Sequence, residues 1–428
     1  MKELIRKGIV FIITLEARAV VKKYQPNIVL VTGSVGKTST KDALYAALKQ
    51  SVFVRKSEKS YNSDIGVPLT VLGVPNGWSN IVQWLKNILD GLLLLLIITP
   101  YPRWLVVEVG ADRPGDISRS LAWLTPQVVV TTRFPEVPVH VEFYDSPGAV
   151  IAEELFPLSL LSAGTVAVVN SDDPTPEGFR VPEGVRTISY GFEKSADLRA
   201  LRYRVLTKEG APNGISFEIA HADERVHLSL YGIIGRTHVY ALLAGVAGAL
   251  GAGAHLARMH SLAEEYEAPP GRLKLIAGRA GSVLIDDTYN ASPVAGEEAL
   301  STLSAAPAQR RIAVLGDMLE LGTYSTQAHT RLGELSRTHA DILVTVGVRS
   351  RASAEQALKS GMAPNAVHIF ERGSDASSFL LSELRQGDVV LVKGSQSIRM
   401  ERIVKALMEH PEDAPRLLPR QDAEWLAR

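Results

Sequence analysis

Residues 27–40 read NIVLVTGSVGKTST, an apolar run followed by a glycine-containing loop that ends in Gly-Lys-Thr. The run from Asn27 to Val31 is typical of a buried strand, and Ser39 to Lys49 predicts a helix. Strand, glycine loop and helix in this order form the usual setting of a phosphate-binding loop. The segment therefore predicts an α/β fold that binds a nucleotide at this loop.

The loop supplies the groups that a triphosphate needs. Glycines allow the backbone to curl so that N–H groups face phosphate oxygens, and the following helix adds the positive end of its dipole. We expect Lys37 to reach the β- and γ-phosphates and the Thr38 hydroxyl to bind Mg²⁺. Val31 stands where the common pattern has its first glycine, so the loop is a variant. The predicted nucleotide-binding residues of the loop are Gly33, Ser34, Gly36, Lys37, Thr38 and Ser39.

Composition excludes several classes of protein. A chain of 428 residues is long enough for two or three domains. Lys and Arg together number 46, as do Asp and Glu, which argues against a generally basic nucleic-acid-binding protein. The sequence has no cysteine, which excludes disulfides, thiolate metal sites and a cysteine nucleophile, and suits a reducing cytoplasm.

Short β-branched runs with helical segments between them continue along the chain, as in a mostly parallel sheet. Alternation from Leu198 to Tyr231 predicts antiparallel strands at the sheet edge. The strand–helix rhythm restarts after the polar, proline-bearing passage Glu264 to Gly271. We predict an N-terminal helix at 1–26, a central P-loop ATPase-type domain at 27–266 and a smaller Rossmann-like C-terminal domain at 267–428. The further predicted strands are Trp104–Val109, Val128–Thr132, Val166–Asn170, Val283–Asp287, Ile312–Leu315, Ile342–Val346 and Val389–Val392.

Two segments are unusually apolar. One is the run Ile9 to Ile13 within Met1 to Lys23, and the other is Leu92 to Ile98 within Trp78 to Pro100. Both are well short of the ~20 residues that a membrane span needs. Buried helices and helices lying on a membrane surface are the two interpretations.

Acidic residues follow two of the predicted strands. Glu108, at the end of WLVVEVG, is placed to bind Mg²⁺ directly or through water, although a solvated strand end is the alternative. Asp286 and Asp287 open DDTYNASP and suit ribose or cation contacts, or a simple turn. Asp112 and Asp116 in GADRPGDIS are expected to serve a turn or a helix cap.

Two further motifs carry polar side chains. His140 lies in VPVHVEF, and a lone histidine between β-branched residues is usually a packed core histidine. VKGSQSIRME follows the last predicted strand. There Lys393 and Ser395 are candidates for holding an anionic substrate, with a helix cap as the alternative.

Together these strings resemble the Mur ligase family, and most closely its MurF branch of UDP-N-acetylmuramoyl-tripeptide–D-alanyl-D-alanine ligases. They occur in the family's order and cover Val29 to Glu401. The matching strings are VTGSVGKTST, NSDIGVPLTVL, EVGADRPGDIS, VHVEF, NSDDP, GRTHVYALLAG, GRL, DDTYNASP, LGDMLELG and VKGSQSIRME.

The resemblance implies a ligase that uses ATP and Mg²⁺. ATP would phosphorylate a carboxylate, and an amine would then attack the acyl phosphate and expel phosphate. A carbamylated lysine of the family aligns with Glu154, whose carboxylate would replace it beside a second Mg²⁺; an ordinary helix-surface acid is the alternative. The implied catalytic residues are Lys37, Glu108, His140 and Glu154, and the implied metal ligands are Thr38, Glu108, His140 and Glu154.

The resemblance also implies that residues of the C-terminal domain contact the nucleotide. Arg272 and Asp287, with Asn290 nearby, would complete the site only when the domains close, which would exclude water. Thr237-His238 stands where the branch has His-Asn, and that asparagine contacts adenine. We therefore expect His238 to stack on the base instead.

The implied partners are a muramyl-peptide-like acceptor and a D-Ala-D-Ala-like amine. Lys393 and Ser395 would bind the amine substrate, and Asn62 is assigned to substrate as well. Met1 to Pro26 leaves no room for the family's UDP-binding N-terminal domain, so a lipid-linked acceptor is an alternative. A cytoplasmic monomer, with peripheral membrane contact as an option, is expected.

Three other functions remain as alternatives. The first is a folylpolyglutamate-type or cyanophycin-type ligase, against which DDTYNASP and GDMLELG argue. The second is a non-catalytic nucleotide-binding partner, against which the retained Lys37, Glu108 and Arg272 argue. A kinase or plain NTPase is the third, and it would not need a second nucleotide-contacting domain.

Overall fold

The computed structural model describes residues 2–58 and 64–426, which form two α/β units, each built on one sheet. The strands are β1 (Asn27–Thr32), β2 (Val54–Lys56), β3 (Trp104–Glu108), β4 (Val128–Thr131), β5 (Val166–Asn170), β6 (Arg186–Gly191), β7 (Leu198–Lys208), β8 (Ala211–His221), β9 (Glu224–Tyr231), β10 (Lys274–Ala277), β11 (Val283–Asp287), β12 (Arg310–Gly316), β13 (Ile342–Val346), β14 (Val367–Phe370) and β15 (Asp388–Lys393). The helices are α1 (Lys2–Tyr24), α2 (Lys37–Leu48), α3 (Gly66–Leu72), α4 (Ile81–Leu96), α5 (Asp116–Leu121), α6 (Pro147–Leu155), α7 (Arg236–Gly251), α8 (Leu262–Glu265), α9 (Pro293–Ala305), α10 (Ser325–His339), α11 (Arg351–Lys359), α12 (Gly373–Glu383), α13 (Glu401–Leu407), α14 (Ala414–Leu417) and α15 (Ala423–Leu426).

The first sheet has nine strands in the order β2-β3-β1-β4-β5-β6-β7-β8-β9. In this order, the strands from β2 through β1 to β7 pair in parallel. The last three strands, β7, β8 and β9, pair antiparallel at the edge of the sheet. Val31 pairs with Glu108, and Thr32 pairs with Thr131, so β1, β3 and β4 end at the same edge of the sheet. This edge is where ligands bind in open parallel α/β sheets.

Alternate residues of β1 face two different layers, as the pleat of a strand requires. Ile28 and Leu30 belong to the core under α1, α3 and α4, while Val29 and Val31 belong to the core under α2 and α7. Because both faces of the strand are covered, it is a continuous apolar run rather than an alternating one.

The second sheet has six strands in the order β10-β11-β15-β12-β13-β14. Only β10 is antiparallel to its neighbour. Asp287 at the end of β11 pairs with Lys393 at the end of β15, so the two side chains come from one edge. The two units share a continuous core through α7 and α9, and Ile234 donates a backbone hydrogen bond of 3.1 Å to the Leu273 carbonyl.

The predicted fold class is confirmed, and each strand predicted from an apolar run exists, with ends shifted by at most two residues. Asp116 Oδ2 accepts a hydrogen bond of 2.8 Å from the Arg113 amide at the start of α5, which confirms its turn role. The apolar run Ile9 to Ile13 lies in α1, and Leu92 to Leu96 lies in α4, which ends before Ile97 and Ile98. No helix of the described part of the chain is long and apolar enough to cross a bilayer.

Candidate nucleotide and metal site

The loop between β1 and α2 takes a shape that only glycine adopts readily. Gly33 has a φ of 121° and Gly36 a φ of 91°, and a Cβ on Gly33 would overlap the Thr132 hydroxyl. Helix α2 begins at Lys37, and its N-cap residue, Gly36, has no side chain to cap it. The positive end of the helix dipole therefore lies at the loop, where it would attract an anion.

The first half of the loop is held by backbone contacts to the end of β4. The Ser34 and Val35 amides donate to the Arg133 carbonyl at 3.0 and 3.3 Å. These two contacts fix the first half of the loop against the end of β4.

Lys37 folds back over the loop. Its Nζ donates to the Gly33 carbonyl, lies 3.5 Å from the Ser34 carbonyl and lies 3.7 Å from Glu154 Oε1. The ammonium group thus sits at the mouth of the loop, within reach of a phosphate that binds there.

Thr38 and Glu108 come together as predicted. The Thr38 hydroxyl donates to Glu108 Oε1 at 3.0 Å, and Lys41 Nζ lies 3.8 Å from Glu108 Oε2. Glu108 is 2% exposed, and its Oε2 has no hydrogen-bond donor among the described residues. A buried carboxylate oxygen without a donor, beside a hydroxyl, is a suitable ligand for a hard cation.

Glu154 lies on the other side of the loop. It is buried on α6, where its Oε2 accepts a hydrogen bond from the Ser34 hydroxyl and its backbone carbonyl accepts one of 2.5 Å from Thr32 Oγ1. Burial raises the pKa of its carboxyl group, while Lys37, Ser34 and His140 act in the opposite direction. The structure thus places Glu154 inside the site, and Glu154 is not an exposed acid on the surface of a helix.

The apolar neighbours of His140 in sequence favour a packed core histidine, but the structure does not place it in the core. It has a left-handed φ of 71° before a short 3-10 turn, and its side chain is 28% exposed. Its Nδ1 lies 2.8 Å from Glu320 Oε2 of the C-terminal unit, and its Nε2 lies 3.5 Å from Asp112 Oδ1. Hydrogen bonding to His140 lowers the pKa of Glu320.

The four predicted metal ligands form two groups rather than one cluster. Thr38 lies with Glu108 in the first group, while Glu154 and His140 lie beyond Lys37. Among the residues that the structure describes, no three acidic or histidine side chains converge as a metal cluster. The donors still fit Mg²⁺ at Thr38 and Glu108, because this ion usually takes one or two carboxylates and completes its shell with waters and phosphate oxygens.

A cavity between the two units joins the loop to the C-terminal domain. Arg272, Asp287 and Lys393 face Thr38 and Ser39 across it. The full lining is Val35, Gly36, Thr38, Ser39, Arg133, Thr237, His238, Arg272, Leu273, Asp287, Ala295, Glu298 and Lys393.

Lys393 and Asp287 form a buried ion pair in this cavity. Lys393 Nζ lies 2.6 Å from Asp287 Oδ2 and donates to the Asn290 carbonyl at 3.0 Å. Arg272 stacks its guanidinium 4.2 Å from the centre of the Tyr289 ring. The structure therefore brings Arg272, Asp287 and Lys393 to the nucleotide loop, with Asn290 contributing a backbone carbonyl.

His238 lines the same cavity but is held edge-on. It is 2% exposed, its Nε2 lies 2.8 Å from the Arg272 carbonyl, and its ring meets Tyr266 at 70°. Burial lowers its pKa to about 4, so the ring is neutral at physiological pH. Stacking on a base stays a prediction, and the contact in the structure instead links α7 to the start of the C-terminal unit.

Ser395 and Asn62 are the two remaining residues that the sequence assigned to substrate binding. The Ser395 hydroxyl accepts a hydrogen bond of 2.9 Å from the Leu319 amide, which ties VKGS to the GDMLELG loop. Asn62 lies outside the described residues.

A network of charged side chains that no sequence motif predicted spans the two units. Arg133 donates to Asp173 at 2.8 Å and to Glu298 of the C-terminal unit at 2.7 Å, and it lies over the Tyr240 ring. Asp173 stands in the matching string NSDDP, and that string was the available signal. Arg133 carries no motif of its own, and only the three-dimensional structure reveals its partners.

The chain is similar to known proteins over most of its length. The sequence profile described as "Mur ligase middle domain" matches residues 31–83 and 89–249, and "Mur ligase, glutamate ligase domain" matches residues 271–396. The UDP-N-acetylmuramoyl-tripeptide–D-alanyl-D-alanine ligases of Escherichia coli and Bacillus subtilis are 28% and 27% identical, each over 92% of this chain and 80% and 79% of their own. The crystal structure of a Thermotoga maritima MurF ligase in complex with ADP has a TM-score of 0.75 at 24% identity, covering 95% of this chain and 84% of that one.

Proposed function

The chain belongs to the Mur ligase family, and we propose that it is an ATP-dependent, ADP-forming ligase that joins an amine to a carboxylate through an acyl phosphate. One observation carries the proposal. Thr38 and Ser39 of the loop share a cavity with Arg272, Asp287 and Lys393 of the second unit. A bare NTPase would need only the first unit, whereas a ligase must gather ATP and two further substrates away from water.

The residues of this site support each stage of the reaction. Lys37 and the start of α2 would hold the phosphates of ATP, and Lys37 would neutralise charge on the γ-phosphoryl group as the substrate carboxylate attacks it. The incoming amine then attacks the acyl carbon, and phosphate leaves with one of the carboxylate oxygens. Lys393 lies at the C-terminal side of the cavity, where it would orient an anionic substrate group.

We propose Mg²⁺ as the metal of this site. Thr38 and Glu108 would hold one ion, and Glu154 with His140 would serve the position that the family fills with a carbamylated lysine and a histidine. When bound, the ion would offset the negative charge of the phosphates. Glu154 brings a carboxylate to that position without needing CO₂.

We propose a muramyl tripeptide as acceptor and D-alanyl-D-alanine as amine, which assigns the chain to the MurF branch. The printed names of the relatives, the strings DDTYNASP and GDMLELG, and the likeness over 92% of the chain support this choice. We further propose that the enzyme works as a monomer in the cytoplasm, at its membrane face.

A phosphate-release assay with product analysis tests the proposed function. Purified protein is given ATP, Mg²⁺, D-alanyl-D-alanine and either a UDP-linked or a lipid-linked muramyl tripeptide, and products are identified by mass spectrometry. We expect phosphate release to require both substrates and to yield the pentapeptide. Lys37→Ala should lose the activity, while Lys194→Ala, at an exposed position, should keep it.

Two outcomes would contradict the proposal. Phosphate release that is equal with and without the two substrates would identify an NTPase. Activity with a folate and glutamate, but not with the muramyl peptides, would identify the folylpolyglutamate type of ligase.

A further inference from the structure

Helices α1 and α4 lie side by side and parallel on the outside of the first sheet. Glu16 of α1 contacts α4 at Gly91, where an added Cβ would come within 2.9 Å of the Glu16 carboxyl carbon. At the C-terminal ends, Lys23 Nζ donates to the carbonyls of Leu94, Leu95 and Ile97 at 2.8 to 3.0 Å. The two helices therefore form one platform, and their C-terminal ends lie together.

The inner side of this platform is packed. Ile13, Ala17 and Val20 of α1 and Trp84 of α4 belong to the core that also contains α3 and strands of the first sheet. The opposite face of that sheet carries α2 and α7, through which the C-terminal unit is attached. The outer side of the platform is thus turned away from the second unit.

The outer side carries many exposed apolar side chains on both helices, with basic side chains beside them. Leu85, Leu89 and Leu96 of α4 are 58%, 60% and 79% exposed, and Phe11 of α1 is 65% exposed. Helical spacing places these residues on one face of each helix. The exposed apolar residues of the platform and of the segments that flank α4 are Phe11, Ile12, Leu15, Trp78, Ile81, Val82, Leu85, Leu89, Leu92, Leu93, Leu96, Ile97 and Ile98.

A contiguous apolar surface of this kind is not what a fully solvated protein presents. Soluble monomers expose apolar residues singly or in small patches, and a larger patch marks a binding surface. The other exposed large apolar residues of the described chain, such as Tyr231, Val348 and Leu381, are scattered.

The charges around this apolar face are basic. Lys7, Arg18 and Lys22 are exposed on α1, and Lys86 is exposed on α4. Among the described side chains of the two helices, Glu16 is buried and Asp90 is the one other acid. The chain as a whole has no net charge, so this excess of cations is local.

We propose that the outer face of α1 and α4 docks on the surface of a membrane that carries anionic lipid headgroups. The two helices would lie in the plane of the interface, with their leucines and Phe11 at the level of the acyl chains and the cations beside the headgroups. A second copy of the chain is a poorer occupant, because a two-fold contact through this face would bring Lys7, Arg18 and Lys22 toward the same cations of the partner. This inference is independent of the ligase reaction.

Vesicle co-sedimentation of the full chain tests the proposal. Vesicles of phosphatidylglycerol and phosphatidylcholine should carry the protein down, and vesicles of phosphatidylcholine alone should carry much less. The double variant Leu85→Asp with Leu89→Asp should bind at least about ten-fold more weakly, because two charges must then enter the interface. The matched control, Val348→Asp with Leu381→Asp, should bind like the wild type.

A second variant keeps the test independent of folding. Lys7→Gln with Lys22→Gln changes exposed side chains only, and should weaken binding to the anionic vesicles by roughly ten-fold or more, since each cation near an anionic surface contributes about five-fold. Circular dichroism and phosphate release with soluble substrates should be unchanged in both double variants.

Three results would overturn the proposal. The first is a wild type that stays in solution with anionic vesicles. The second is equal sedimentation of the wild type and the Leu85→Asp, Leu89→Asp variant. The third is a concentration-dependent dimer in analytical ultracentrifugation that this variant abolishes while lipid binding is undetectable, since the occupant would then be a second copy.

Discussion

Glu154 is a buried carboxyl group beside the ammonium group of Lys37 and the hydroxyl of Ser34. Because burial raises its pKa, a neutral replacement costs the fold little, but it removes the negative charge that a second cation would need. The role of Glu154 can therefore be separated from its contribution to stability.

We expect Glu154→Gln to lower kcat by about ten-fold or more while the melting temperature stays close to that of the wild type. The measurement is substrate-dependent phosphate release at saturating Mg²⁺, with Glu136→Gln, at an exposed position, as the matched control. Full turnover in both Glu154→Gln and Glu154→Lys would show that the carboxylate does not take part.

At the same scale, the sequence predicted the residues that lie on strand ends and in the loop. Lys37, Thr38 and Glu108 are fixed by local geometry, because a strand that ends beside the loop delivers its next side chain to the site. His238 was predicted to stack on a base, but its environment depends on Tyr266 and Arg272, which are distant in sequence. Periodicity carries no information on such contacts.

At the scale of the elements, the contact between α1 and α4 contains an acid in an unusual place. Glu16 is 6% exposed, and its Oε2 has no hydrogen-bond partner among the described residues. Burial raises its pKa from 4.5 to about 7. The folded state therefore prefers the protonated form, and the unfolding free energy should fall as pH rises from about 4.5 to about 7.

We expect Glu16→Gln to remove this pH-dependent loss of unfolding free energy, because the amide stays neutral at every pH. The variant and the wild type should be similar at pH 5, while at pH 8 the variant should be more stable by between about 1 and 3 kcal/mol. Urea unfolding at the two pH values measures the difference, with Glu193→Gln, at an exposed site, as the control. A gap of the same size at pH 5 and pH 8 would contradict the titration of Glu16.

Most elements were predictable because their burial is encoded locally. Runs such as Val128 to Thr131 are buried on both faces, and the alternation of Leu198 to Tyr231 appears as β7, β8 and β9. The strands that the sequence did not indicate are β2, β6, β10 and β14. Several residues in each are partly or fully exposed, so their pairing partners rather than their own pattern define them.

At the scale of the whole molecule, the site belongs to both α/β units. Arg133 reaches Glu298, His140 reaches Glu320, and Arg272 with Asp287 faces the loop across one cavity. A sequence motif can indicate one residue of such a contact but not its partner, because the pair forms only when the two units come together. The interface between the units was therefore implied by resemblance alone.

The arrangement gives each unit one task. In the proposed reaction the first unit would hold the triphosphate at the start of α2, and the cations and carboxylate of the second unit would cover it, so that a carboxyl group is activated out of contact with water. The proposed reaction therefore needs both units.

The fate of the acceptor's oxygen atoms shows whether ATP activates a carboxylate in this enzyme. The acceptor carboxylate is labelled with ¹⁸O, and the phosphate released during turnover with ATP and the amine is analysed by mass spectrometry. An acyl phosphate requires one labelled oxygen in each phosphate, because the bond between the acyl carbon and that oxygen breaks when the amine attacks. Phosphate that carries only oxygen from ATP and water would contradict carboxylate activation and leave a nucleotide hydrolase in its place.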